Sequence, residues 1–105
     1  MLRVYNDILQ LMRALRPFLK QIAQHDRDLA RQLRRALTST LLNTAEASGV
    51  TAGSRRQRFA TACGSSMEVR AGLHAAEALG YTLPMPHQLV DLIDKVVATL
   101  YKLRG

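Results

Sequence analysis

At 105 residues with 48% apolar side chains, the chain reads as one domain over residues 1–105, too small for two cores and too apolar for disorder. Its net charge is +7, its single cysteine (Cys63) excludes an internal disulfide, and it has no apolar run approaching the ~18–20 residues that cross a bilayer. The opening Met1-Leu2-Arg3-Val4-Tyr5-Asn6-Asp7 lacks the layout of a signal peptide, so a soluble protein of a reducing cytoplasm with no membrane partner is expected.

Helix one is predicted over about 3–24, where Val4, Ile8, Leu11, Leu15, Phe18 and Ile22 recur three and four apart and Met12 and Leu19 widen the stripe. Pro17 lies inside it, removes one backbone donor and is expected to bend it. Asp26 suits the N-cap of helix two, about 27–48, which should stop near Gly49. Ser48-Gly49-Val50-Thr51-Ala52-Gly53-Ser54 is the most loop-like stretch. Helix three should run from Ser54 to Leu79, with Gly80 as its stop. After the turn Thr82-Leu83-Pro84-Met85-Pro86, helix four begins with Pro86 in its first position and buries Leu89, Ile93, Val96, Leu100 and Leu103, flanked by Leu92 and Val97. No segment alternates with period two. Four amphipathic helices on short connections predict an all-α, antiparallel up-down-up-down four-helix bundle.

Helix two carries three faces at about 100° per residue. Leu29, Leu33, Ala36, Leu37, Thr40 and Thr44 form the core arc, and Gln32, Arg35, Ser39, Asn43 and Glu46 form a polar line beside it. Arg27, Arg31 and Arg34 occupy the opposite flank of that line. On helix three, Phe59, Ala62, Ser66, Val69, Leu73, Ala76 and Gly80 keep an unbroken three-four spacing of mostly small residues. Arg58, Thr61, Ser65, Glu68, Gly72 and Ala75 run beside them, so Arg58, Ser65 and Glu68 are expected to meet Arg35, Asn43 and Glu46 in a polar seam that sets helix or subunit packing.

The net charge of residues 1–60 accounts for the whole excess: eleven basic and four acidic side chains, against four of each in 61–105. Twelve of the fifteen basic residues are arginine, the side chain shaped for bidentate phosphate contact. Arg13, Arg16 and Lys20 on the outer side of helix one, Arg27, Arg31 and Arg34 on helix two, and Arg55 and Arg56 at the start of helix three are the candidate phosphate contacts. Arg55 and Arg56 oppose the positive end of their helix dipole, a placement that a bound anion would explain. The alternative for the whole set is a solvated surface.

Gln32-Leu33-Arg34-Arg35-Ala36, Ser39, Asn43, Ala45-Glu46, Arg56, Arg58-Phe59, Ala62, Gly64-Ser65, Glu68 and Gly80-Tyr81, with the leading Asp26-Arg27-Asp28-Leu29-Ala30-Arg31, resemble the bacterial four-helix bundle family. That family is also known from open reading frames in intervening sequences of large-subunit ribosomal RNA. The resemblance implies a ring of bundles, a homopentamer, and kinship with the accessory proteins of diversity-generating retroelements, basic rings that engage nucleic acid and a reverse transcriptase. It implies no enzymatic activity. In one departure, Ala47 stands where the Asn-x-Ala-Glu motif is usually followed by glycine, so helix two is expected to run on to Gly49 and the next loop to take another shape.

Nothing in the sequence calls for a cofactor or a metal. Neither Glu46 nor Glu68 has the histidine three places on that di-iron bundles need, and His25, His74 and His87 lack ligand spacing. Cys63 has no Cys-His-acid setting and reads as a buried filler, and Ser65 and Ser66 lack a nucleophile elbow. The sequence therefore predicts a non-enzymatic, oligomeric, basic scaffold binding RNA or DNA without strong sequence specificity. Its competitor is a protein-interaction module whose basic surface serves solubility.

Overall fold

The structure, a computed structural model, describes residues 2–105; Met1, the first residue of the expected domain, lies outside them. Four helices, α1 (Arg3–His25), α2 (Arg27–Ala47), α3 (Ala52–Ala78) and α4 (His87–Leu103), make up the described chain, which contains no strand. Each helix packs on its chain neighbours and α1 closes on α4. Leu2, Ala47, Ser48, Arg55, Phe59 and Leu103 meet at one end, so the start of α1, the end of α2, the start of α3 and the end of α4 converge there. That convergence is the up-down-up-down arrangement. The long axis of 43 Å matches α3, whose 27 residues rise about 1.5 Å each.

The core is built largely from the expected stripes, except that Leu29 and Leu103 are only half-buried and Ala30 and Ala47 are buried as well. Val4, Ile8, Leu11, Leu15 and Ile22 of α1 are buried, but Leu19 takes the place predicted for Phe18. Phe18 turns instead toward Pro86, Leu89 and Leu92 at the α4 side and is half-buried. On α3, Phe59, Ala62, Ser66, Val69, Leu73 and Ala76 are buried with Cys63, and Gly80 is exposed. The buried hydroxyls of α2 are satisfied within their own helix: Thr40 Oγ1 donates to the Ala36 carbonyl and Thr44 Oγ1 to the Thr40 carbonyl, each at 2.7 Å. A polar group can therefore enter the core without remaining unpaired.

The connections explain the helix ends. Asp26 alone separates α1 from α2, in an extended conformation (φ −154°, ψ 97°). Its N–H donates to the Ile22 carbonyl at 2.7 Å, while its Oδ1 accepts from the Leu29 N–H at 2.9 Å, so one residue closes one helix and caps the next. Asp26→Ala is expected to lower stability by about 1 kcal/mol, read from urea unfolding, with Asp26→Asn close to wild type because it keeps the acceptor. Equal losses for both variants would show that the cap is not the cause.

Gly80 ends α3 at φ +76°, with Tyr81 N–H bonded to the Ala76 carbonyl at 2.8 Å and Gly80 N–H to the Glu77 carbonyl at 3.0 Å. The Tyr81 ring then stacks on His25 at the end of α1, centroids 5.2 Å apart, and holds the 79–86 connection against the bundle. Five boundaries differ from the sequence-based expectation, among them the ends of α1 (His25, not 24) and α3 (Ala78, not Leu79). α2 stops at Ala47 rather than running to Gly49, α3 begins at Ala52 rather than Ser54, and Pro86 is the N-cap of α4 rather than its first residue. α1 continues unbroken through Pro17.

Candidate nucleic-acid interface

Three of the four helix contacts carry an ion pair across them. Arg58 Nη1 lies 3.0 Å from Glu46 Oε2 between α3 and α2, Arg70 Nη1 3.2 Å from Asp94 Oδ1 between α3 and α4, and Lys95 Nζ 3.4 Å from Asp7 Oδ2 between α4 and α1. The α1–α2 contact has none among the described residues. Instead, Arg13, Arg16 and Lys20 of α1 and Arg34 of α2 line one open groove of about 630 Å³, together with Pro17 and Leu19. No carboxylate lines that groove, and none of its four cations forms an ion pair with a described residue.

Helical spacing produces the cluster. Residues 13, 16 and 20 share one side of α1. Arg34 reaches the same groove because the one-residue turn at Asp26 folds α2 back along α1. Arg27 and Arg31 continue the Arg34 ridge toward the turn, and Arg31 makes only a loose, solvent-exposed contact of 3.6 Å with Asp28. Arg55 and Arg56 sit elsewhere, at the end of the bundle where α1 begins, and Arg13 lies about 15 Å along the axis from that end. Arg55 borders a small recess with Phe59 and Leu103, and Arg56 packs beside Gly105. The eight candidate phosphate contacts thus fall into a groove with its ridge and a separate pair.

The groove also has a floor that the sequence assigned only to packing. Met12, Leu19 and Leu37 form an apolar bay of about 350 Å³ with Thr38 at its edge, and Arg13, Arg16 and Arg34 border both this bay and the cationic one. The signal in the sequence was Met12, which widens the helix-one stripe beyond what one core face requires.

The polar seam lies between α2 and α3, the most extensive helix contact in the molecule. Ser39 Oγ and Ser65 Oγ share a hydrogen bond of 2.8 Å. Asn43 Nδ2 donates to the Ser39 carbonyl at 2.9 Å and to Ser39 Oγ at 3.2 Å, while Asn43 Oδ1 accepts from Arg58 at 3.4 Å. Arg58 therefore joins Asn43 and Glu46, and five of the eight seam residues form one connected chain. Gln32, Arg35 and Glu68 border a shallow recess beside Ser39 and Ser65 and are exposed. Arg35 and Glu68, expected within the same seam, do not join it: neither makes an ion pair with a described residue.

A division of labour follows that can be measured. Asn43→Ala is expected to cost about 1 kcal/mol of stability, since it removes the acceptor for Arg58 and the donor to Ser39. Glu68→Ala is expected to leave the melting temperature of the isolated chain unchanged and to lower any oligomer mass seen by sedimentation. Unchanged melting and unchanged mass for both variants would remove the packing role of the seam.

Among the described residues, no three His, Cys, Asp or Glu side chains gather as a metal-ligand set, and no helix is long and apolar enough to cross a membrane. Cys63 is buried, its Sγ 4.0 Å from the Val97 carbonyl. No protein-family model, no curated protein and no solved structure matches the chain.

Proposed function

We propose that this chain is a non-enzymatic basic scaffold that holds RNA or DNA by its phosphates, without reading base sequence. One observation carries the reading: each of the other helix contacts has an ion pair across it, while the α1–α2 groove holds Arg13, Arg16, Lys20 and Arg34 with no acid among them. Like charges gathered in one groove repel one another and oppose folding. A polyanion relieves that cost, and releasing its condensed counterions supplies the affinity. Arginine dominates the cluster, as phosphate recognition favours.

The family resemblance of residues 26–81 supports the second half of the proposal, a homopentameric ring. In a ring the groove repeats, so its interactions along one nucleic acid add through multivalency. Gln32, Arg35 and Glu68, exposed at the edge of the seam, are the proposed subunit contacts. The same kinship makes a reverse transcriptase the proposed protein partner.

The test is fluorescence anisotropy of labelled structured RNA and of duplex DNA, titrated with protein at low and physiological salt. The reading expects micromolar or tighter binding that falls steeply as salt rises. No binding at either salt would leave the cations as solubilising surface and favour a protein-interaction module.

A further inference from the structure

We infer that the apolar bay in the α1–α2 groove receives one unpaired base, so that the protein prefers a nucleic acid with an extruded or unpaired nucleotide over an uninterrupted duplex. The inference rests on the phosphate-binding reading of the same groove and goes beyond it by assigning a use to the apolar floor. A duplex whose bases are all stacked presents only phosphates and sugars to a groove between two helices, and these need cations alone. The cationic bay supplies them. The adjoining bay is different: Met12, Leu19 and Leu37 line it together with Arg13, Arg16 and Arg34, Met12 being half-buried and the two leucines almost wholly buried.

An apolar floor bordered by guanidiniums matches a nucleotide, whose flat base is apolar on its faces and whose phosphate is anionic. Arginine planes also stack on bases. At about 350 Å³ the bay is large enough to take a single base. Its chemistry disfavours the other anionic candidate, an acidic amphipathic helix, which needs a row of apolar anchors at i, i+3, i+4 and i+7. Here three apolar side chains make one spot.

The experiment compares one DNA duplex in three versions: fully paired, with one extra thymidine bulged from a strand, and with an abasic residue in place of that thymidine. The last two carry the same phosphates and differ only in the base. The protein variant is Thr38→Phe, which places a ring at the edge of the bay and removes no cation. Thr38 is exposed and its hydroxyl bonds only its own helix, to the Arg34 carbonyl at 2.9 Å, so the variant should fold, as a melting curve will show.

The expected result is that the wild-type chain binds the thymidine bulge about fivefold or more tighter than the other two versions. Thr38→Phe should erase that difference and leave the affinity for the paired duplex unchanged. Equal affinity of the wild type for all three versions, an abasic bulge that gains as much as the thymidine, or a preference that survives Thr38→Phe would overturn the inference while the phosphate reading stands. Salt-insensitive or absent binding of every version, above all with capture of an acidic leucine-bearing peptide instead, would overturn both.

Discussion

Replacing the groove cations together, as Arg13→Gln, Arg16→Gln, Lys20→Gln and Arg34→Gln, is expected to weaken binding to duplex DNA on the order of a hundredfold or more at low salt. The plot of log affinity against log salt should flatten by about one for each phosphate that the variant no longer neutralises. Stability should hold or rise, because none of the four forms an ion pair within the described chain and their removal relieves mutual repulsion. This combination, weaker binding on an undiminished melting temperature, separates a phosphate surface from a structural one. Arg55→Gln with Arg56→Gln supplies the contrast, since the pair sits away from the groove. If that pair costs as much affinity as the groove set, the interface runs the length of the bundle. If only that pair costs affinity, the groove assignment fails.

Gly72→Val is expected to destabilise the chain by about 1–3 kcal/mol, through overpacking where α3 lies against Leu33 of α2. A Cβ at Gly72 would overlap the isobutyl group of Leu33, whose Cγ would stand only 3.2 Å away with a Cδ closer still. Leu33 is 1% exposed and walled in by the core, so the whole branch has nowhere to retreat. Valine is the informative substitution because its own helix propensity offers little compensation. Gly64, two turns earlier on the same helix, has open space where its Cβ would lie. Gly64→Ala should therefore stabilise, by up to about 1 kcal/mol. Thermal melts of the two variants followed by circular dichroism check the pair, and shifts of the same sign would refute the close-approach account. For a domain of this size, 1 kcal/mol corresponds to a shift of about 4–8 °C.

The helices and their buried stripes were legible in the sequence. Burial on a helix recurs every three or four residues, so Phe59, Ala62, Ser66, Val69, Leu73 and Ala76 declared their face through spacing alone. Asp26 and Gly80 declared their ends because capping is a local chemistry of single residues. Where two residues competed for one slot, as Phe18 and Leu19 did, spacing allowed either, and the direction of the neighbouring helix chose Leu19. The polar line of α2 was legible as a line, yet not its pairing. Ser39 met Ser65 and Arg58 met Asn43 and Glu46, while Arg35 and Glu68 stayed apart, because the register of two helices is set by packing along their whole length.

Composition, periodicity and the order of the charges determined by themselves that this is a basic, helical, arginine-rich chain whose net charge resides in its first 60 residues. They could not show that Arg13, Arg16, Lys20 and Arg34 share one groove, nor that an apolar floor lies beside them. Those side chains come from two helices and become neighbours only because a single extended residue, Asp26, reverses the chain and sets one helix against the other. Periodicity is a property of one helix, and a groove is a property of two. The elements of this protein were therefore written in its sequence, and its candidate interface was decided by how those elements meet.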